Sequence, residues 1–229
     1  MRVLTLTESH VARATRVVPE TELPSSFTRC DDAAFAARCA RVAASRPEGP
    51  LYVFAYGSLI WNPTFRARSR QHAVARGWHR QFCMEIRGFR GTPEAPGLMM
   101  ALMAGGRCAG LVLEVDEAEA DAAIDGLVRR ETPFVENEPD WRWITVDLPS
   151  GKARALVFWA GPRGPSIRRA LPLDLVARQL AAACGYRGSC AEYLRNTVES
   201  LEEAGLHDSN LWRLQHMVAE EIDRIFPAG

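Results

Sequence analysis

Apolar positions along the chain fall into two periodicities. Residues 51–56, LYVFAY, form an unbroken apolar run that suits a strand buried on both faces. Gly57 and Ser58 interrupt it, Leu59, Ile60 and Trp61 resume it, and Asn62-Pro63 ends it. Residues 73–86 read as a long or bent strand, with Val74, Trp78, Phe82 and Met84 at even positions. Strands follow at 98–103 and 108–115, separated by a turn at Gly105-Gly106. Residues 141–148 and 153–160 form a hairpin about the Pro149-Ser150-Gly151-Lys152 turn.

The other pattern is helical. A short helix starts near Thr7, and Asp31 or Asp32 caps one in which Phe35, Cys39 and Val42 fall at helical spacing. Asp116 opens another, with Glu119 as capping-box partner and an apolar stripe of Ala120, Ile124, Leu127 and Val128. The end of the chain is helical at about 172–184, 190–204 and 209–225. Ser189 with Glu192 reads as a capping box, and Gly205 as a stop. Strands come first with one helix inserted, and helices close the chain, so the class is α+β with a curled or barrel-like sheet. Residues 1–48 form an N-terminal helical arm packing on a main domain of 49–229, set off by Pro47-Glu48-Gly49-Pro50. Loops are expected at Pro19 to Thr28 (with the SSFT run), 64–73, 88–97, 132–140 and 161–166. The first of the four numbered alone is basic and solvated, and 88–97 fits an active-site wall.

Composition narrows the function classes. In 229 residues, 28 Lys and Arg balance 28 Asp and Glu. That neutrality argues against a nucleic-acid or membrane-surface partner. No apolar run reaches the roughly 18 residues of a membrane span, and the first residues lack the apolar centre of a signal peptide, so a cytoplasmic protein is expected. The six cysteines form no CxxC pair and no histidines share ligand spacing on one helix, so neither metal nor cofactor is expected. Met99, Met100 and Met103 read as core. Nucleophile-elbow, Walker, GxGxxG and HExxH motifs are all missing.

Two features carry candidate chemistry. The small-residue break at 56–59 is either a bulge in a core strand or a turn whose free N–H groups bind an anion or a polarised carbonyl. Gly57 there supports a conformation other residues avoid and leaves neighbouring N–H groups unshielded. Glu131 lies seven residues after Ile124 and four after Leu127, on the apolar face of its helix. Either it is a desolvated carboxylate with a raised pKa, or it pairs with Arg129 or Arg130 at a frayed helix end. Ser58 has no adjacent base to make it a nucleophile, and His79 reads as structural. Tyr193 opens its helix as a core aromatic.

YGSLIWNP at 56–63, with ARGWHRQFC at 75–83, RGTPEAPGL at 90–98 and LVRRE at 127–131, resembles the γ-glutamylcyclotransferase family. Within it, the chain is similar to the ChaC-like, glutathione-specific branch, over roughly residues 51–206. The resemblance implies a small mixed β-barrel with surrounding helices and the YGSL turn at its mouth. It implies a substrate-binding loop of Ala55, Tyr56, Gly57, Ser58, Leu59 and Ile60, a proton-shuttling Glu131, and a γ-glutamyl contact from Tyr193. The reaction implied is conversion of glutathione to 5-oxoproline and cysteinylglycine by a cofactor-free monomer. Ala55 stands where this branch usually has glycine, and Asn137 where a tyrosine is often found, which bears on leaving-group preference. Two other readings stay open: a cyclotransferase for another γ-glutamyl amide or amine, and a non-catalytic γ-glutamyl-binding module.

Overall fold

The structure is a computed structural model that describes residues 2–20, 27–137, 141–159, 161 and 166–228. In chain order its elements are α1 (Glu8–Ala14), α2 (Asp32–Ala44), β1 (Tyr52–Ala55), β2 (Ala67–Ile86), β3 (Gly97–Val115), α3 (Ala120–Glu131), β4 (Trp141–Leu148) and β5 (Gly151–Phe158). There follow α4 (Leu173–Ala182), the two-residue strands β6 (Cys184–Gly185) and β7 (Gly188–Ser189), α5 (Cys190–Glu203) and α6 (Ser209–Ile225). They form two compact units, neither continuous in sequence: residues 24–80 with 102–161, and residues 1–23 with 81–101 and 162–229.

The first unit holds a closed five-stranded barrel in the order β1-β3-β2-β4-β5. β1 runs antiparallel to β3, with Tyr52 opposite Glu114 and Ala55 opposite Leu111. It runs parallel to β5 at Val53 and Leu156. The β4–β5 hairpin pairs Trp141 with Phe158 through to Leu148 with Gly151, as its alternating pattern predicts. Phe54, Ala75, Leu102, Val112, Ile144, Val146, Ala155 and Val157 pack into one core. At Gly110 the strands close so tightly that a Cβ would sit 2.5 Å from the Ala55 carbonyl oxygen, so only glycine fits. α2, capped by Asp31 accepting from the Ala34 N–H at 2.7 Å, packs on α3.

Three expectations change here. The stretch 64–73 is not a solvated loop from end to end. β2 begins at Ala67 and its residues alternate between half-buried and exposed up to the buried Ala73. Arg68, Arg70 and His72 occupy the outward positions, and Ser69 donates to Glu114 Oε2 at 2.7 Å. Gly105 and Gly106 do not end a strand. Both take positive φ, 106° and 73°, as a kink inside continuous β3. Asp116 caps a single 3₁₀ turn, Glu117–Glu119, before α3 starts, so the capping box with Glu119 does not form. The expected loops around the SSFT run, 132–140 and 161–166 fall partly outside the described residues, at 21–26, 138–140 and 162–165.

The second unit is built on α4, α5 and α6, which pack on one another, with α1 against α5 and α6. Thr7 caps α1, and the Leu6 N–H donates to the buried Gln215 Oε1 of α6 at 2.8 Å. Residues 1–48 therefore contribute one helix to each unit. Gly205, at φ 71°, ends α5 as predicted, with the Leu206 N–H returning to the Leu201 carbonyl. Ser189 accepts from the Glu192 N–H at 3.2 Å, but the glutamate does not complete the box, because its carboxylate turns to Arg90.

Candidate active site

β1 ends at Ala55, and the chain leaves the barrel through Tyr56 and Gly57 into one 3₁₀ turn, Ser58–Ile60. Ile60 N–H bonds the Gly57 carbonyl at 2.9 Å, and Asn62 N–H the Ser58 carbonyl at 2.8 Å. The N–H groups of Ser58 and Leu59 precede the first of these bonds, so the turn itself leaves them unused. Ala55, Leu59 and Ile60 are buried and pin the segment. Tyr56 is half-buried and donates its hydroxyl to the Phe158 carbonyl at 2.9 Å, tying the turn to β5. Arg70 of β2 reaches the Ile60 carbonyl at 3.3 Å. Gly57 sits at φ −146° rather than in the left-handed region.

Glu131 is the last residue of α3, whose buried face is Ala120, Ala123, Ile124, Leu127 and Val128. Its side chain is about a quarter exposed (26%). Burial pushes its carboxyl above the usual glutamate range, and the Arg130 guanidinium pulls it part of the way back. Of the two arginines, Arg130 is the partner, with Nε 3.1 Å from Glu131 Oε1. Arg129 turns the other way, to Asp125 and Asp32, and stacks on Phe35. The same Arg130 side chain donates from Nη2 to Ser58 Oγ at 2.8 Å and from Nη1 to the Asn62 carbonyl. Glu131 and the turn are thus joined through one guanidinium. Behind them Arg38, a buried arginine of α2, donates to the carbonyls of Thr132 at 2.6 Å and Val135 at 3.0 Å, holding the chain that leaves α3.

Tyr193 belongs to the other unit. It lies buried in the first turn of α5, edge-on to Phe82 with ring centroids 6.0 Å apart. The Arg90 guanidinium carbon is 5.7 Å from its ring centroid. Arg90, from the 88–97 loop, donates to the Ser189 carbonyl at 2.7 Å and to Glu192 Oε2 at 2.5 Å. The six turn residues and Glu131 are brought into one unit, and Tyr193 is seated in the second. Sequence reasoning overlooked Arg130 as a link to Ser58. Its place in LVRRE, beside the carboxylate, was the available signal. His79 bonds the Gly105 carbonyl at 2.9 Å and serves the kink in β3. Among the described residues no group of His, Cys, Asp or Glu is arranged to hold a metal ion, and no helix is long and apolar enough to cross a membrane.

Comparison with known proteins gives one family. The family model described as ChaC-like protein matches residues 51–221. The glutathione-specific γ-glutamylcyclotransferase of Escherichia coli K12 is 35% identical over 196 residues, covering 85% of this chain and 84% of that one. The human glutathione-specific γ-glutamylcyclotransferase 1 is 28% identical over 160 residues, covering 68% and 71%. The crystal structure of the yeast γ-glutamyl cyclotransferase specific to glutathione superposes with a TM-score of 0.68 at 19% identity, over 76% of this chain and 97% of that one. That last likeness is one of fold.

Proposed function

The chain belongs to the ChaC-like family, and from that premise we propose that it is a glutathione-specific γ-glutamylcyclotransferase. One observation carries the reading: the mostly buried Glu131 carboxylate at the end of α3 meets Arg130, and the same guanidinium bonds Ser58 of the turn. A γ-glutamyl compound contains its own nucleophile. Its α-amine attacks its γ-carbonyl carbon, a five-membered lactam closes, and the amide C–N bond to the cysteine nitrogen breaks. Glu131 takes a proton from the attacking ammonium and returns one to the leaving nitrogen. A carboxyl tuned toward neutrality suits both transfers and contributes about 10²–10⁴-fold. The N–H groups of Ser58 and Leu59 bind the substrate carboxylate or the oxygen that becomes negative. Fixing the folded substrate contributes several kcal/mol more, an order-of-magnitude figure of about 7 kcal/mol for well-oriented groups. Ser58 accepts from Arg130 and acts as a turn residue, not as a nucleophile.

The products are 5-oxoproline and cysteinylglycine, which makes the enzyme a carbon–nitrogen lyase. Turn, arginine and glutamate come from one chain, so these groups need no second copy to complete them, and we propose a monomer. We place it in the cytoplasm, a reducing compartment that suits its six free cysteines. The test is incubation of the purified chain with glutathione and detection of both products. A second reading, the same chemistry on another γ-glutamyl amide, is favoured by one fact: the turn and Glu131 address only the half that all such substrates share. Turnover of γ-glutamyl-alanine with glutathione untouched would select it.

A further inference from the structure

We propose that Arg130 is a positioning residue that fastens the Glu131 carboxylate to the Ser58 turn, so that proton shuttle and binding turn hold one geometry. The inference rests on the reading of Glu131 as the shuttle. Neighbouring residues of an α-helix point about 100° apart, and i,i+1 side chains do not face each other on its surface. Arg130 and Glu131 are such neighbours, yet their charged groups meet at 3.1 Å. Arg130 carries the link to the turn. Arg130 reaches Ser58 Oγ at 2.8 Å and the Asn62 carbonyl with its two terminal nitrogens, while Nε faces Glu131 Oε1. One planar fork thus holds a side-chain hydroxyl, a backbone carbonyl and a carboxylate at once. Lysine, a point charge on a flexible stem, cannot reproduce that arrangement.

The pairing differs from an ordinary helix-end ion pair. Arg129 shows the ordinary kind on the same turn of α3: 43% exposed, with an i,i+4 partner in Asp125. Arg130 and Glu131 are each only 26% exposed, and Arg130 also reaches partners outside α3, Ser58 and Asn62. Near this end the Glu136 carboxylate accepts the Thr28 N–H, and three further groups point to backbone oxygens. Arg38 of α2 goes to Thr132 and Val135, Arg70 of β2 goes to Ile60, and the Cys30 thiol faces the Thr132 carbonyl. Among the described residues, Arg130 is the one cation paired with Glu131. Its charge also offsets part of the burial that raises the carboxyl. Arg130 therefore has two separable effects, one of charge and one of shape.

Arg130→Met removes both, and Arg130→Lys keeps the charge without the fork. For Arg130→Met, kcat with glutathione falls about 10²-fold, the size of loss expected from ångström-scale misplacement. The acid limb of its kcat/KM profile moves to higher pH. Arg130→Lys keeps the acid limb of the parent and loses about tenfold in kcat. Thermal melting confirms that each variant is folded, and Arg130→Lys carries the test if the methionine variant is not. A folded Arg130→Met with kcat within about twofold of the parent and an unmoved acid limb overturns the proposal; the twofold margin is well below any positioning effect. A second readout does not depend on turnover: NMR titration of the Glu131 carboxyl carbon. If the parent cleaves no γ-glutamyl compound, the functional reading fails. The tie is then judged by whether that carboxyl titrates higher in Arg130→Met. An unchanged titration overturns the tie even in an active enzyme.

Discussion

Two arginine–glutamate pairs, one in each unit, use the same chemistry to opposite ends. In the barrel unit Arg130 holds Glu131 and spans to Ser58 and Asn62. In the helical unit Arg90 holds Glu192 and the Ser189 carbonyl, and stacks over Tyr193. The difference lies in where each carboxylate sits on its helix. Glu192 is in the first turn of α5, where the helix dipole favours negative charge. Glu131 is the last residue of α3, where the dipole opposes it and burial adds to the cost. Glu192 clamps the loop through Arg90. Glu131 is an acid placed where ionisation is costly, which is what a proton shuttle requires.

The largest effect that sharpens this contrast is on chemistry. Glu131→Gln should lower kcat by about 10²–10⁴-fold, the usual contribution of a positioned acid–base, while a γ-glutamyl ligand still binds. Normal turnover by this variant would erase the distinction between the two pairs. The next effect is on how the two segments are held. The 88–97 loop is fixed by close backbone approach: a Cβ on Gly185 would lie 2.2 Å from the Phe89 carbonyl oxygen, against backbone that cannot swing aside. Gly185→Ala should destabilise the chain by about 3 kcal/mol or more, read from a denaturant midpoint. The turn at 58–60 closes on its own backbone bonds and buried Leu59 and Ile60, while its ties to β5 and α3 are side-chain hydrogen bonds, which a point mutation can loosen without collapse.

A pH-dependent effect follows from Glu131 itself. Its native pKa is raised, so between the ordinary glutamate value and the native one the folded chain keeps a proton that the unfolded chain has released. That contribution to stability is full at low pH and is lost as pH rises through the window. Glutamine does not titrate. Glu131→Gln should therefore gain in melting temperature over the parent as pH climbs from acidic to neutral, although it is the variant expected to lose turnover. A difference in melting temperature that stays flat with pH would mean that Glu131 is ordinarily solvated.

Much of this was legible in the residues. Thr7, Asp31 and Ser189 announce their helices because a cap is a local hydrogen bond. The α3 stripe and the place of Glu131 on it follow from a period of 3.6. The β2 extension was less visible, because its alternation over 67–72 sets half-buried Ser69 and Gln71 against exposed Arg68 and His72, with little contrast in hydropathy. The continuity of β3 was hidden by two glycines that read as a turn but serve as a kink supported by His79. Arg130 was legible beside Glu131 in LVRRE, but its reach to the turn was not, because Ser58 and Asn62 lie far away in sequence and tertiary folding creates that contact. The division of residues 1–48 between two units is likewise a tertiary fact.

The smallest effect probes the structural pair. Ser189 supports α5 twice: its hydroxyl accepts the Glu192 N–H at 3.2 Å, and its carbonyl accepts Arg90 at 2.7 Å. Thr15 also donates its hydroxyl to Ser189 Oγ at 3.0 Å. Ser189→Ala deletes the hydroxyl and leaves the carbonyl. It should cost about 1 kcal/mol, the typical worth of an N-cap, visible as a small shift in denaturant midpoint. The Arg90 clamp survives, because it needs only the backbone oxygen and the Glu192 carboxylate. A loss several times larger would mean that the cap, and not the clamp, holds the start of α5. Tyr193 would then owe its position to the serine hydroxyl rather than to Arg90.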